Sequence, residues 1–312
     1  MAAQYPPAPE TQRPPPRQEK VSQRRDASLE PLQTVGMTNV DLKDWIGRQD
    51  TRMERVAREP FHRLNALLDR TEGSGEHLPP LGHWLCFLPD APQAELGADG
   101  HPDRGGFMPP IALPMRMWAG SRISFAAPIP FEAEITRRST ILDIKEKTGR
   151  TGPLAFLTVR HEVFAGSTLC VTEDLDVVFR DRSGSSSGPA PGERREAQIA
   201  RHIAPTAALL FRYSALTFNA HRIHYDRDYA TRQEGYPGLV VHGPLLATLL
   251  VDHYRRHHPT AEIRSFVFRA QRPVYDLAPF TVNLSDTADG ADLWANDGEG
   301  FLAMAAHIGG VL

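Results

Sequence analysis

The densest run of chemically useful side chains in this 312-residue chain is Phe211-Arg-Tyr-Ser-Ala-Leu-Thr-Phe-Asn219-Ala-His221-Arg-Ile-His224-Tyr-Asp226. Imidazole, with an unperturbed pKa near ~6.5, exchanges protons close to neutral pH, which an amide cannot do. Asn219 can orient a water molecule through its carbonyl and NH2 groups, or cap a turn. His221 and His224 with Asp226 nearby also resemble a metal site. Three ligands from one loop with no second cluster are weak evidence, and no metal is expected. The chain has 13 histidines, so position in a pattern has to single one out. His253, His257 and His258 end a helical stretch, where imidazolium meets the dipole favourably, and need no functional role.

The elements that must position this run fall on both sides of a linker. Residues 1–35 carry Glu10, Glu19, Asp26 and Glu30 besides six prolines in Pro6–Pro16, and read as a disordered tail rather than a presequence. From Val40 to Leu68 apolar residues recur at helical spacing, which predicts one or two helices. Gly73 to Pro114 is rich in Gly and Pro with aromatic residues among them, a long packed loop region suited to a lid. Strand-like runs follow at Ile123–Phe125, Phe131–Ile144, Leu154–Phe164 and Ser167–Val178. The Ser, Gly and Pro of Arg182–Arg195 make a flexible linker. Beyond it Ala207–Ser214 reads as a strand and Pro244–His257 as a buried helix. Strands are expected at Ile263–Ala270, Phe280–Ser285, Asp292–Ala295 and Phe301–Ile308. One long helix followed by a sheet predicts an α+β domain whose sheet wraps its helix. The first half repeats the sheet without an equally long helix.

The run at Asn219–His224 resembles the motif of the MaoC-like, (R)-specific enoyl-CoA hydratases, in which an Asp precedes a His by five residues within Ser-Gly-Asp-x-Asn-Pro-Leu-His. His224 matches that His, and the Asp position falls on Asn219, so the acid is missing. Leu239-Val-Val-His-Gly-Pro-Leu-Leu-Ala-Thr248 resembles the family's entry into its long hot-dog helix. Leu78-Pro-Pro-Leu-Gly-His-Trp-Leu, Arg104-Gly-Gly-Phe-Met-Pro-Pro and Met117-Trp-Ala-Gly-Ser-Arg-Ile extend the likeness to the branch of type 2 hydroxyacyl-thioester dehydratases and mesaconyl-CoA and itaconyl-CoA hydratases. The resemblance implies a double hot-dog fold. Its parts would be a tail at 1–35, a degenerate acyl-CoA-binding domain at 36–181, a linker at 182–196 and a catalytic domain at 197–312.

The implied reaction is hydration of an enoyl-CoA thioester, or the reverse. It needs a base for water, an acid for the α-carbon and donors for charge on the thioester oxygen. His224 is the candidate acid/base residue and Asn219 a water-orienting one. The oxyanion donor is expected from a backbone N–H at the helix start, Gly243 first and Val241 second. Thr248 is placed near the water or His224, and His221 is a substrate-binding candidate that could equally hydrogen-bond backbone. Arg264, Arg269 and Arg272 are candidates for the CoA phosphates. A dicarboxylate acyl group would need a further cation, with Arg222, Arg116 and Arg122 on equal footing. No cofactor is expected, CoA being part of the substrate.

Competing functions are a broad (R)-3-hydroxyacyl-thioester dehydratase, a hot-dog thioesterase and a non-catalytic acyl-CoA-binding subunit. A thioesterase would need an acid on the helix, and no Asp or Glu lies between Gly243 and Leu250. The net charge of −3, from 35 basic and 38 acidic residues, favours neither nucleic acid nor an anionic membrane as a partner. Cys86 and Cys170 lack metal or disulfide spacing. A cytoplasmic home, or the mitochondrial matrix in a eukaryote, is expected. Hot-dog modules commonly pair, so a homodimer is compatible with the sequence.

Overall fold

The computed structural model describes residues 41–71, 75–149, 152–181 and 192–311. The tail at 1–35 and most of the linker lie outside the described residues. The described residues form ten strands: β1 (Gln49–Arg55), β2 (Met115–Phe125), β3 (Glu134–Gly149), β4 (Gly152–Ala165), β5 (Thr168–Arg180), β6 (Ile199–Ile203), β7 (Glu262–Ala270), β8 (Phe280–Thr287), β9 (Gly290–Asn296) and β10 (Leu302–Val311). They make one antiparallel sheet in the order β1-β3-β4-β5-β2-β7-β10-β9-β8-β6. Strands before the linker build one half and strands after it the other. The seam is the β2–β7 pair, running from Gly120 opposite Arg269 to Ser124 opposite Ser265. A Cβ on Gly120 would lie 2.4 Å from the Phe268 carbonyl oxygen, so the seam closes only with glycine there.

Helices α1 (Glu59–Leu67), α2 (Ala207–Leu216) and α3 (Gly243–His257) complete the α+β architecture. Every residue of α3 from Leu245 to Tyr254 is buried, as befits a helix that its sheet wraps. It packs against β8, β9 and β10. In the first half α1 supplies Phe61, Leu64 and Leu67 to the same core. Two half-sheets of five strands, one holding the long helix and the other a short one, give the double hot-dog arrangement.

Two readings of the sequence are corrected. Helix was expected through Val40–Leu68, yet Gln49–Arg55 is strand β1, paired along β3 from Gln49 opposite Thr140 to Arg55 opposite Glu134. Gly47, at φ +85°, breaks the chain direction before it, and Pro60 starts α1 after it. Ala207–Ser214 was read as a strand and is helix α2. The Thr206 side chain caps it by accepting from the Leu209 N–H at 3.2 Å, and a short apolar run is ambiguous without that signal.

The two halves are tied at the far end of α3 by Asp252, whose side chain is 1 % exposed. Arg70, which follows α1, donates to it at 2.5 Å, Arg201 of β6 at 2.6 Å and Arg256 of α3 at 2.9 Å. Burial alone would raise the Asp252 pKa, but hydrogen bonds from the three guanidiniums outweigh it and hold the carboxyl below its usual value. The stability so gained is present above the unfolded carboxyl pKa of ~3.9 and lost as pH falls through the lower folded value. Arg201→Ala leaves two partners in place, so we expect a loss of ~1–2 kcal/mol at pH 7, read as a lower urea midpoint at unchanged slope. No described helix is long and apolar enough to cross a membrane.

Candidate active site

A cavity of about 840 Å³ opens between the halves, walled mainly by apolar and aromatic side chains. Its floor comes from alternate residues of successive strands, because side chains two apart share a face. Arg116 and Trp118 of β2, Arg137 of β3, His161 and Val163 of β4, and Glu173 and Leu175 of β5 all reach it. The β2–β5 register slips between Trp118 and Gly120, a bulge of the kind that re-aims side chains beside sites. The second half closes the cavity with Tyr213 and Ser214 of α2, the loop Thr217–Ala220 and Pro244.

His224 sits in a short 3-10 turn at Arg222–His224, 8 % exposed. Its Nδ1 lies 2.7 Å from the Val240 carbonyl oxygen. A carbonyl only accepts, so Nδ1 carries the hydrogen and Nε2 keeps its lone pair. Burial pushes the His224 pKa down to about 4, against an opposing pull from the Val240 carbonyl. The ring is neutral and proton-accepting at pH 7. It stacks on His242 at 3.7 Å and meets His221 edge-on at 5.3 Å. His221 faces His101 at 4.1 Å, and His101 is the imidazole of this row that lines the cavity. Burial also lowers the pKa values of His101, His221 and His242. His242 is anchored by Ser214, whose Oγ is 2.8 Å from Nε2.

The remaining candidates are placed as follows. Asn219 lines the cavity, and its Oδ1 accepts from the His221 N–H at 3.0 Å. Asn219→Asp keeps that acceptor and puts a carboxylate where the motif has one. We expect activity to be retained, with kcat within about tenfold, or ~1.4 kcal/mol, in a steady-state hydration assay. Gly243 is the first residue of α3, and a Cβ on it would lie 3.1 Å from the Trp118 ring. The helix has no side-chain cap there, so its first amides and the dipole suit developing negative charge. The Val241 N–H is engaged by the Val274 carbonyl at 2.8 Å, which leaves Gly243 as the amide of the two. Thr248 donates to the Pro244 carbonyl at 2.8 Å and stands 3.5 Å from the Tyr213 hydroxyl.

The arginines separate by their partners. Arg222 is held by Asp226 and the Ala98 carbonyl, and Arg122 is bidentate to Asp176 on the outer face. Arg116 lines the cavity with no ion pair or hydrogen bond among the described residues. Burial, and then Arg104 nearby, lower its pKa to about 10, which still leaves it charged at pH 7. Arg264 pairs with Glu262 on the exposed face of β7, Arg269 is exposed on the same strand, and Arg272 packs against Asp297 and Phe301. None of these three lines the cavity.

Several cavity groups were not singled out from sequence. Glu173 is buried in the cavity wall, accepting from Trp84 at 2.9 Å and Ser121 at 2.5 Å and facing His83 Nε2 at 2.9 Å. Its burial would raise the carboxyl pKa, and the His83 hydrogen bond brings it down to about 2. Arg137 lies over the Phe87 ring. His101, in the cavity wall, and Asp99, bonded to it, come from the Gly- and Pro-rich loop, where polar residues fixed on a scaffold are a functional signal.

The family model for hydroxyacyl-thioester dehydratase type 2 matches residues 78–276. The chain is 44 % identical over 277 residues to a mesaconyl-C(4)-CoA hydratase of Chloroflexus aurantiacus, covering 87 % of this chain and 99 % of that relative. Among solved structures it is similar to HtdX of Mycobacterium tuberculosis, with a TM-score of 0.61 at 16 % identity over 84 % of this chain and 99 % of that one. A second Mycobacterium tuberculosis protein, described as having a double hot-dog fold, matches with a TM-score of 0.52 at 11 % identity over 85 % of this chain and 96 % of that one. At those identities the structural likeness bears on fold alone.

Proposed function

Because the chain belongs to the hydroxyacyl-thioester dehydratase type 2 family and is a hydro-lyase, we propose that it adds water across the double bond of a short branched dicarboxylyl-CoA of the mesaconyl or itaconyl kind. The observation that carries this reading is Arg116, a half-buried guanidinium in the cavity wall that no carboxylate among the described residues pairs directly, Asp99 acting on it only from a distance. A carboxylate on the acyl group supplies the missing partner, and a purely apolar chain does not. The 44 % identical relative named for a mesaconyl thioester supports the same class.

The acid/base work falls to the imidazole cluster around His224, whose free Nε2 accepts a hydrogen bond from water. The uncapped start of α3 at Gly243 faces charge growing on the thioester oxygen, where preorganised N–H donors stabilise a transition state most. Trp118 packs beside Gly243, and Pro244 lines the cavity next to it.

Ultraviolet absorbance of the enoyl thioester tests the substrate directly, with mesaconyl-CoA, itaconyl-CoA and crotonyl-CoA compared under one set of conditions. Hydration of a dicarboxylate far faster than crotonyl-CoA is expected. Preference for crotonyl-CoA would transfer the enzyme to general acyl-chain metabolism, and inactivity on all three would favour an acyl-CoA-binding subunit.

A further inference from the structure

The motif loop lacks a carboxylate at Asn219, and the amide oxygen found there is already engaged by the His221 N–H. The other half of the chain brings a different acid to the same place. Asp99 Oδ1 accepts from the His101 backbone N–H at 2.9 Å, and Oδ2 lies 3.1 Å from His101 Nδ1. A carboxylate only accepts, so Nδ1 carries the hydrogen and Nε2 is left with a lone pair. The same tautomer is set in His224 by the Val240 carbonyl.

This loop is built against the motif. Gly100, between the two residues, has φ +87°, and a Cβ on it would lie 1.9 Å from the Ala220 carbonyl oxygen. The Arg222 N–H donates to the Asp99 carbonyl at 2.9 Å, and the Arg222 guanidinium donates to the Ala98 carbonyl at 3.0 Å. His101 is thereby held in the cavity wall, at 4.1 Å from His221.

Resting on the hydratase reading above, we propose that His101, held by Asp99, is a second catalytic residue and does the work of the acid that the motif lacks. Water donates one O–H to His224 Nε2 and the other to His101 Nε2. As the water oxygen bonds to the β-carbon, the π pair of the C=C bond moves onto the thioester oxygen and one proton passes to His101. The enolate pair then returns to the α-carbon and takes that proton back from Nε2. One C–O and one C–H bond form, the π bond and one O–H bond break, and both rings end neutral. Asp99 offsets the charge on the imidazolium while it exists, which the neutral Val240 carbonyl behind His224 cannot do. Burial, and to a lesser degree the nearby charges of Arg116 and Arg104, keep the resting ring neutral against the pull of Asp99.

Asp99, His101 and His221 also offer ligand atoms within 4.8 Å of one another. The two arginines beside them oppose a bound dication, so the assignment is to proton transfer.

The test uses the full chain and its His101→Gln and Asp99→Asn variants, assayed with mesaconyl-CoA from acid to neutral pH. Binding of the hydrated product is followed by quenching of Trp84 and Trp118, both in the cavity wall. We expect His101→Gln to lower kcat by ~10²-fold or more with KM and product affinity within about threefold. Asp99→Asn should lower kcat by roughly tenfold or more with binding likewise retained. Wild type active and His101→Gln within about threefold of it in kcat overturns the inference alone. Product affinity falling as far as kcat overturns it too, since His101 would then only bind. One divalent ion per wild-type chain, absent from His101→Gln and needed for activity, replaces the dyad by a metal centre. A wild type inactive on every enoyl thioester removes the hydratase reading itself.

Discussion

Replacing His224 by alanine is expected to lower kcat by ~10²–10⁴, the range for losing one member of the imidazole pair that holds and deprotonates the water, with the fold intact. The ring contributes an Nε2 whose lone pair is set free by the Nδ1 bond to Val240, and alanine removes it without unpairing a charge. The neutral ring is the working form. With the His224 pKa pushed down by burial to about 4, the wild type should keep kcat/KM from neutral pH down toward that region and lose it as the ring protonates below. A conventional histidine would give an acid limb near ~6.5. Steady-state rates between pH 3.5 and 8, with circular dichroism on both proteins, measure the two effects together. Full turnover by His224→Ala would remove His224 from the mechanism.

What the sequence makes legible follows the physics of each element. Helix α3 and the strands of the second half announce themselves because a helix buried all round and strands of alternating pattern leave period and length on the page. Strand β1 does not, since Gln49–Arg55 buries little and owes its form to pairing with β3. The site is split in the same way. The run from Asn219 to His224 is contiguous and carries a motif, so it can be read directly. Asp99 and His101 stand more than a hundred positions away, and tertiary contacts alone join them to it: the approach of Gly100 to Ala220, the Arg222 hydrogen bonds and the His101–His221 ring contact. Among Arg116, Arg122 and Arg222 residue type gives no order. Their partners do, because Asp176 and Asp226 engage two of them and leave Arg116 to the cavity.

That ordering leads to Arg116→Met, which keeps length and apolar stem while removing the charge. For mesaconyl-CoA we expect kcat/KM to fall by ~10²–10³, the cost of leaving a desolvated carboxylate without its cation. For crotonyl-CoA, which has no such carboxylate, the change should stay within about threefold, so the selectivity narrows or inverts. Stability provides a second, independent sign. A half-buried cation with no direct partner costs stability in the free enzyme, so removing it should leave the urea midpoint unchanged or raise it. A structural arginine would behave in the opposite way, with lower stability and equal losses on both substrates. Equal losses on the two thioesters would sink the assignment of Arg116 to the acyl carboxylate, while a specific loss at undiminished stability would mean that the site holds a charge in reserve for its substrate.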